Sequence, residues 1–190
     1  MIVLASRSPR RRQLLEMLGI EHIVDPPDLP EIPEPGELPE SFAVRLAREK
    51  ALQVGARHPG DYVLGADTVV VLEQRMLGKP ATPAEAVKML SELSGREHRV
   101  ISAVALARDG EVSEHYDVTR VWFRPLSLEL IEAYVATGEP MDKAGAYGVQ
   151  GYGAVLVQKI EGDFYSVMGL PVRLVVDLLE GAGIPYRFTR

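Results

Sequence analysis

Residues 62 to 72 read Tyr-Val-Leu-Gly-Ala-Asp-Thr-Val-Val-Val-Leu, an apolar run interrupted only by Gly65-Ala66-Asp67-Thr68. A segment with no polar face predicts a central strand covered on both sides, and hence a layered fold with helices over a sheet. Asp67 stands in the middle of it. Aspartate is a poor strand former and is costly to bury charged unless it is paired or bound to a metal. Two readings follow: a satisfied structural carboxylate, or a group at a sheet edge or at a kink, which Gly65 would permit, facing a ligand. Beside phosphate-directed cations, an aspartate suits two tasks: holding Mg²⁺ through oxygen, or taking a proton from attacking water.

The flanking pattern fits such a layered fold. Ile2 to Ala5 form a short apolar strand, followed by Ser8 as an N-cap and Pro9 at the first helical position. Leu14, Leu15 and Leu18 then recur at helical spacing until Gly19. Residues 25 to 40 are rich in proline and acid and predict an extended loop, with a helix from about 41 to 57. Thr82-Pro83-Ala84-Glu85 is a capping box that opens a helix ending at Gly95. Two β-rich runs, 99–108 and 111–124, flank the hairpin signal Asp109-Gly110. A helix over 128–137 and a glycine-rich loop over 144–153 come next, then a strand over 154–160, a turn at Glu161-Gly162 and a short strand to Val167. Pro171 opens a last helix ending near Gly181. Hairpins mixed with strand–helix alternation predict an α/β fold with a mixed sheet, in one domain of 190 residues with room for two lobes.

A net charge of −6 argues against a general nucleic-acid binder and makes Arg10-Arg11-Arg12 stand out. The chain has no cysteine, which rules out disulfides, thiolate metal sites and cysteine nucleophiles. No apolar run reaches membrane-spanning length, and the first apolar stretch is shorter than a signal sequence. The expectation is a soluble cytoplasmic protein.

Three arginines in the first turn of a helix oppose its dipole. They form either a solvated basic turn or a phosphate site in which guanidinium groups and free N–H groups converge. Lys50 falls in the middle of the apolar stripe of Ala43, Leu46, Ala47, Ala51 and Val54, while Arg45, Arg48 and Glu49 point away. Its ammonium either snorkels to solvent or borders a cleft and meets an anion. Lys79, in the turn Leu77-Gly78-Lys79-Pro80, could add a cation. Gln150 lies in the glycine-rich loop, and its amide offers the donor and acceptor that complement a uracil or thymine edge. That loop matches neither GxGxxG nor a Walker A motif. His22, His58, His98 and His115 lack metal-ligand spacing and read as surface or strand residues, Ser166 sits in no nucleophile elbow, and Trp122 and Phe123 read as packing residues.

These residues reach a family pattern. Ala5-Ser6-Arg7-Ser8-Pro9-Arg10-Arg11, Arg45-Leu46-Ala47-Arg48-Glu49-Lys50-Ala51, Gly65-Ala66-Asp67-Thr68-Val69 and Gly78-Lys79-Pro80 resemble the Maf family of nucleoside triphosphate pyrophosphatases. Asp142-Lys143-Ala144-Gly145-Ala146-Tyr147-Gly148-Val149-Gln150-Gly151 and Gly169-Leu170-Pro171 extend the resemblance over essentially the whole chain, 1–190, as a single Maf-like domain. The resemblance implies the ITPase-like α/β fold of Maf and Ham1 proteins: an elongated mixed β-sheet flanked by helices, in two lobes with a central cleft, often as a homodimer. It implies metal-dependent hydrolysis, with Mg²⁺ or Mn²⁺, of a nucleoside triphosphate to monophosphate and pyrophosphate. The Ala-Tyr-Gly-Val-Gln-Gly loop and Thr68 are similar to the subgroup acting on dTTP and UTP.

On the same resemblance, Asp67 is the catalytic carboxylate. Arg10, Thr68 and Gln150 shape base specificity, and Ser6, Arg11, Lys50 and Lys79 line the phosphate site. An acidic residue in the loop after the first helix matches Glu31, with Glu34 as the alternative, and would hold metal together with Asp67. Water activated by Asp67 would attack the α-phosphorus. The competing expectations are a 7-methyl-GTP pyrophosphatase and a non-catalytic nucleotide-binding regulator of septum formation. Neither nucleic acid nor a membrane is expected as a partner.

Overall fold

The computed structural model describes residues 1–188. Seven strands form one sheet in the order β2-β1-β3-β5-β6-β7, with β4 pairing on β3. These are β1 (Ile2–Ala5), β2 (Ile23–Val24), β3 (Tyr62–Leu72), β4 (Arg75–Leu77), β5 (Glu97–Arg108), β6 (Glu111–Phe123) and β7 (Val157–Glu161). β1 runs parallel to both β2 and β3, while β4 is antiparallel to β3 and β7 antiparallel to β6, so the sheet is mixed as expected. The helices are α1 (Pro9–Met17), α2 (Pro39–Gly55), α3 (Pro83–Leu93), α4 (Leu128–Ala136), α5 (Phe164–Met168) and α6 (Val172–Gly181).

By its contacts the chain divides into two compact units. Unit 1 comprises Met1–Asp67, Ser102–Asp117 and Gly169–Arg190, and unit 2 comprises Thr68–Ile101 and Val118–Met168. In unit 1 the register Ile2↔Tyr62 through Ala5↔Gly65 brings the end of β1 beside the middle of β3. Unit 2 has its own core, in which Ala86, Leu90 and Leu93 of α3 and Ile131 and Tyr134 of α4 pack with Val70, Val121, Phe123 and Tyr147. Within it His98, Phe123 and Tyr147 meet edge to face with ring centroids 4.7–5.3 Å apart. His98 is thus a strand residue but not a surface one.

Side-chain caps open α3 and α4 where the sequence places them. Thr82 Oγ1 accepts the Glu85 N–H (3.2 Å), and the Glu85 carboxylate reaches back to the Ala81 N–H (2.8 Å), closing the box one residue early. Ser127 caps α4 through the Leu130 N–H. Ser8 occupies the N-cap position of α1 without a side-chain bond; its own N–H donates instead to Ser6 Oγ (3.1 Å).

Three expectations fail. β3 runs unbroken through Gly65-Ala66-Asp67-Thr68, with no kink. The segment ending at Val167 is the helix α5, because Asp163 Oδ1 accepts the Tyr165 N–H (2.8 Å) and caps a turn that β-favouring side chains would otherwise leave extended. The strand expected over 154–160 begins only at Val157, since Gly151–Leu156 form 3₁₀ turns.

Candidate active site

In unit 1 the site grows from the contact of α2 with β3. The buried residues of α2 are Phe42, Ala43, Leu46, Ala47, Lys50, Ala51 and Val54. A Cβ on Gly65 would stand 2.1 Å from Ala47 O and 2.8 Å from Ala51 N, so glycine here serves the close approach of helix to strand and not a kink. Gly65 and Asp67 share a face of β3, being two residues apart. Lys50, one residue before Ala51, therefore meets Asp67.

The Lys50 ammonium lies 2.6 Å from Asp67 Oδ1 and 2.5 Å from Glu31 Oε1. Lys50 and Asp67 are 4% and 6% exposed, so this is a buried ion pair, with Glu31 closing it from the more exposed side. The anions that Lys50 meets are thus the protein's own carboxylates. Glu31, not Glu34, makes this contact; Glu34 lies 4.0 Å from Arg45.

Arg11 completes the cluster. Its Nη1 donates to Ala66 O (2.8 Å) and Ser6 Oγ (3.3 Å), and its Nε donates to Gly169 O (2.8 Å). Burial lowers its pKa, against the raising influence of Asp67 and Glu31, and the neighbouring Arg10 lowers it further. A guanidinium stays charged through such a shift. Arg11 is therefore a fixed cation oriented by two backbone carbonyls, while Ser6 is buried beneath it and serves as an acceptor for Ser8 and Arg11. Arg10 is half-buried beside it, and Arg12 is exposed and pairs with Glu16 at 3.1 Å, the solvated member of the three.

The proline-rich loop carrying Glu31 is lashed to α2 by side chains that pattern reading missed. Arg45 donates through Nε and Nη2 to Glu37 (2.7 Å each) and through Nη2 to Ile32 O (3.1 Å). Gln53 exchanges two 2.7 Å bonds with the Asp28 backbone, and Arg57 makes a two-point contact with Asp25. Residues 45 and 53 fall on one i, i+4 row of α2, and Arg57 follows in the turn just past its end. That spacing was visible, but the loop partners were not. The Arg45 hydrogen bonds, against the opposing effect of burial, hold the Glu37 carboxyl down at about 2.

Unit 2 contains Thr68, Lys79 and Gln150. Thr68 follows Asp67 in β3 and is half-buried. Lys79 is exposed in the turn after β4, and the Gly145 N–H donates to Gly78 O (3.1 Å), joining this turn to the glycine-rich loop. Gln150 sits in that loop with Oε1 buried and without a hydrogen-bond partner among the described residues. Tyr134 and Glu139, which carried no signal as site residues, bind this loop, and Lys143 donates to the backbone oxygen of Glu139.

Comparison with known proteins identifies the family. The family model described as Maf-like protein matches residues 1–182. The chain belongs to the Maf family. Relatives named dTTP/UTP pyrophosphatase cover nearly the whole molecule. That of Symbiobacterium thermophilum is 50% identical over 184 residues, covering 97% of this chain and 95% of its own. That of Geobacter metallireducens is 51% identical over 185 residues, covering 96% of both chains. The Myxococcus xanthus protein is 51% identical over 186 residues, covering 97% of this chain and 94% of its own.

Within this Maf chain, the fold of unit 1 gathers Ser6, Arg11, Glu31, Lys50 and Asp67 into one hydrogen-bonded and charged cluster, with Arg10 beside it. Among the described residues no group of three or more His, Cys, Asp or Glu is placed to hold a metal. No helix of the described residues is long and apolar enough to cross a membrane.

Proposed function

We propose that this Maf protein hydrolyses dTTP and UTP to the monophosphate and pyrophosphate. The observation that carries the chemistry is the meeting of Asp67 and Glu31 on one ammonium, Lys50, with the fixed guanidinium of Arg11 near both. Cations and carboxylates so interleaved suit phosphoryl transfer, which needs positioned positive charge together with a proton acceptor. The substrate pair is inferred from full-length relatives at about half identity that carry that name, and the Gln150 acceptor suits the N3–H of uracil or thymine.

Asp67 takes a proton from a water molecule as its oxygen bonds to the α-phosphorus; the bond from that phosphorus to the bridging oxygen breaks and pyrophosphate leaves with the electron pair. Lys50, Arg11 and Lys79 are the cations suited to the triphosphate, and Arg10, Thr68 and Gln150 the groups suited to the base. Glu31 and Asp67 offer the oxygen donors that Mg²⁺ or Mn²⁺ prefers, and two carboxylates fit an ion that also binds phosphate oxygens and water. Such an ion would neutralise charge on the phosphates.

Pyrophosphate release from dTTP, UTP, CTP and 7-methyl-GTP, with Mg²⁺ or Mn²⁺ and with chelator, tests this. Release from dTTP and UTP is expected. Release from 7-methyl-GTP alone would move the chain to that specificity, and silence across the panel would leave a non-catalytic nucleotide binder.

A further inference from the structure

The backbone on either side of Gln150 is gripped by two side chains of unit 2. The Tyr134 hydroxyl accepts the Gly148 N–H at 3.3 Å and donates to Glu139 Oε1 at 2.9 Å. Glu139 Oε1 also accepts the Gly153 N–H (3.0 Å), and Oε2 accepts the Tyr152 N–H (2.9 Å). The carboxylate thus satisfies free N–H groups at the start of the 3₁₀ turns over Gly151–Leu156, immediately after Gln150. Lys143 Nζ, bonded to Glu139 O (2.5 Å) and Asp142 Oδ1 (2.7 Å), anchors the backbone that carries this carboxylate. Gly151 has φ +77°, and a Cβ there would lie 2.7 Å from Glu139 Oε2, so the grip closes on a residue without a side chain.

Gln150 has no comparable support of its own. Its Oε1 is buried without a hydrogen-bond partner among the described residues, so the direction of that acceptor is set by the backbone that carries it. We propose that Glu139, supported by Tyr134, is a positioning residue for the Gln150 amide and, through it, for discrimination of the nucleotide base. The inference rests on Gln150 reading the base, as in the proposed function. A carboxylate with two acceptor oxygens suits the task, since two successive N–H groups and a hydroxyl must be met at once. Burial alone would raise the Glu139 pKa, but the Gly153 and Tyr152 N–H groups, the Tyr134 hydroxyl and Lys143 outweigh it and keep the group ionised.

Uracil presents an N–H donor at N3 where cytosine presents an acceptor, so the ratio of kcat/KM for UTP to that for CTP reports the Gln150 acceptor. The test uses E139Q, Y134F, Q150A and the E139Q/Q150A double variant in the full chain. Where CTP turnover is negligible, its inhibition constant against UTP replaces kcat/KM. E139Q should lower kcat/KM for UTP about tenfold, chiefly through KM, with kcat held within about twofold. Y134F should act in the same direction, and because it removes a single oxygen it serves if E139Q fails to fold. The double variant should be no worse than Q150A alone, because Glu139 acts through Gln150. Hydrogen exchange at the Tyr152 and Gly153 amides should quicken in E139Q. Equal losses for UTP and CTP, or additive losses in the double variant, would overturn the proposal while leaving the proposed function in place. A wild-type protein inactive on both dTTP and UTP would overturn both.

Discussion

Lys50 Nζ and Asp67 Oδ1 stand 2.6 Å apart across the α2–β3 contact. Glu31 sits on the same ammonium at 2.5 Å. Lys50 therefore does not depend on one partner, which separates the catalytic and structural roles of Asp67. In D67N the amide oxygen still accepts from Lys50, and Glu31 still neutralises it. Pyrophosphate release should fall by about 10²–10⁴-fold, the usual worth of a positioned base, while the urea midpoint changes little. A variant retaining near-normal turnover would exclude Asp67 as the base.

Gly65→Ala tests the closeness that makes this pair. Its Cβ would meet backbone atoms of Ala47 and Ala51, which cannot rotate aside as a side chain can. Overpacking of this kind costs about 1–3 kcal/mol. Urea unfolding should show that loss, and turnover should fall with it because the displaced helix carries Lys50.

Arg45→Ala should loosen the loop that bears Glu31 and leave α2 formed. The wild type should behave alike in acid. Glu37 has its folded pKa depressed from 4.5 to about 2, so its contribution is full above pH 4.5 and is lost as pH falls toward 2. Proteolysis mapped by mass spectrometry is the check. Cleavage within residues 25–38 should rise in R45A at neutral pH, and peptic cleavage there should rise in the wild type between pH 4.5 and 2.

His98 also loses stability in acid, but for a different reason. Burial pushes its pKa from 6.5 down to about 4, against the raising effect of Glu97, so the folded chain keeps the ring neutral while the unfolded chain protonates it. Stability is therefore full above pH 6.5 and falls by roughly 1.4 kcal/mol per pH unit down to about pH 4. The difference in urea stability between wild type and H98F should shrink across that window. A constant difference would place the proton elsewhere.

Much of this fold was legible because its signals are local. The Thr82–Glu85 box, the Asp109-Gly110 turn and the apolar run of β3 each act through neighbouring residues, and all three appear where they were read. Residues 163–167 went wrong because Phe164, Tyr165 and Val167 favour extended backbone, whereas the Asp163 cap decides for helix. Gly65 was read as flexibility, since a sequence shows only that the side chain is missing and not what occupies its space.

The candidate site divides in the same way. Lys50 in an apolar stripe and Asp67 in an apolar strand are anomalies that any reader of the chain can find, because burial of charge is costly wherever it occurs. Their partners are not legible. Glu31 was separable from Glu34 only by the path of the loop, and that path is set by Arg45, Gln53 and Arg57 acting across gaps in sequence. Glu139 and Tyr134 carried no anomaly at all, since a partly exposed glutamate and a helical tyrosine are ordinary until the chain folds Gly148, Tyr152 and Gly153 against them. Residue type and periodicity announced which charges needed partners. Only the long-range packing of loop, helix and strand decided which partners they found, because hydrogen bonds of under 3 Å depend on backbone placement that no local pattern encodes.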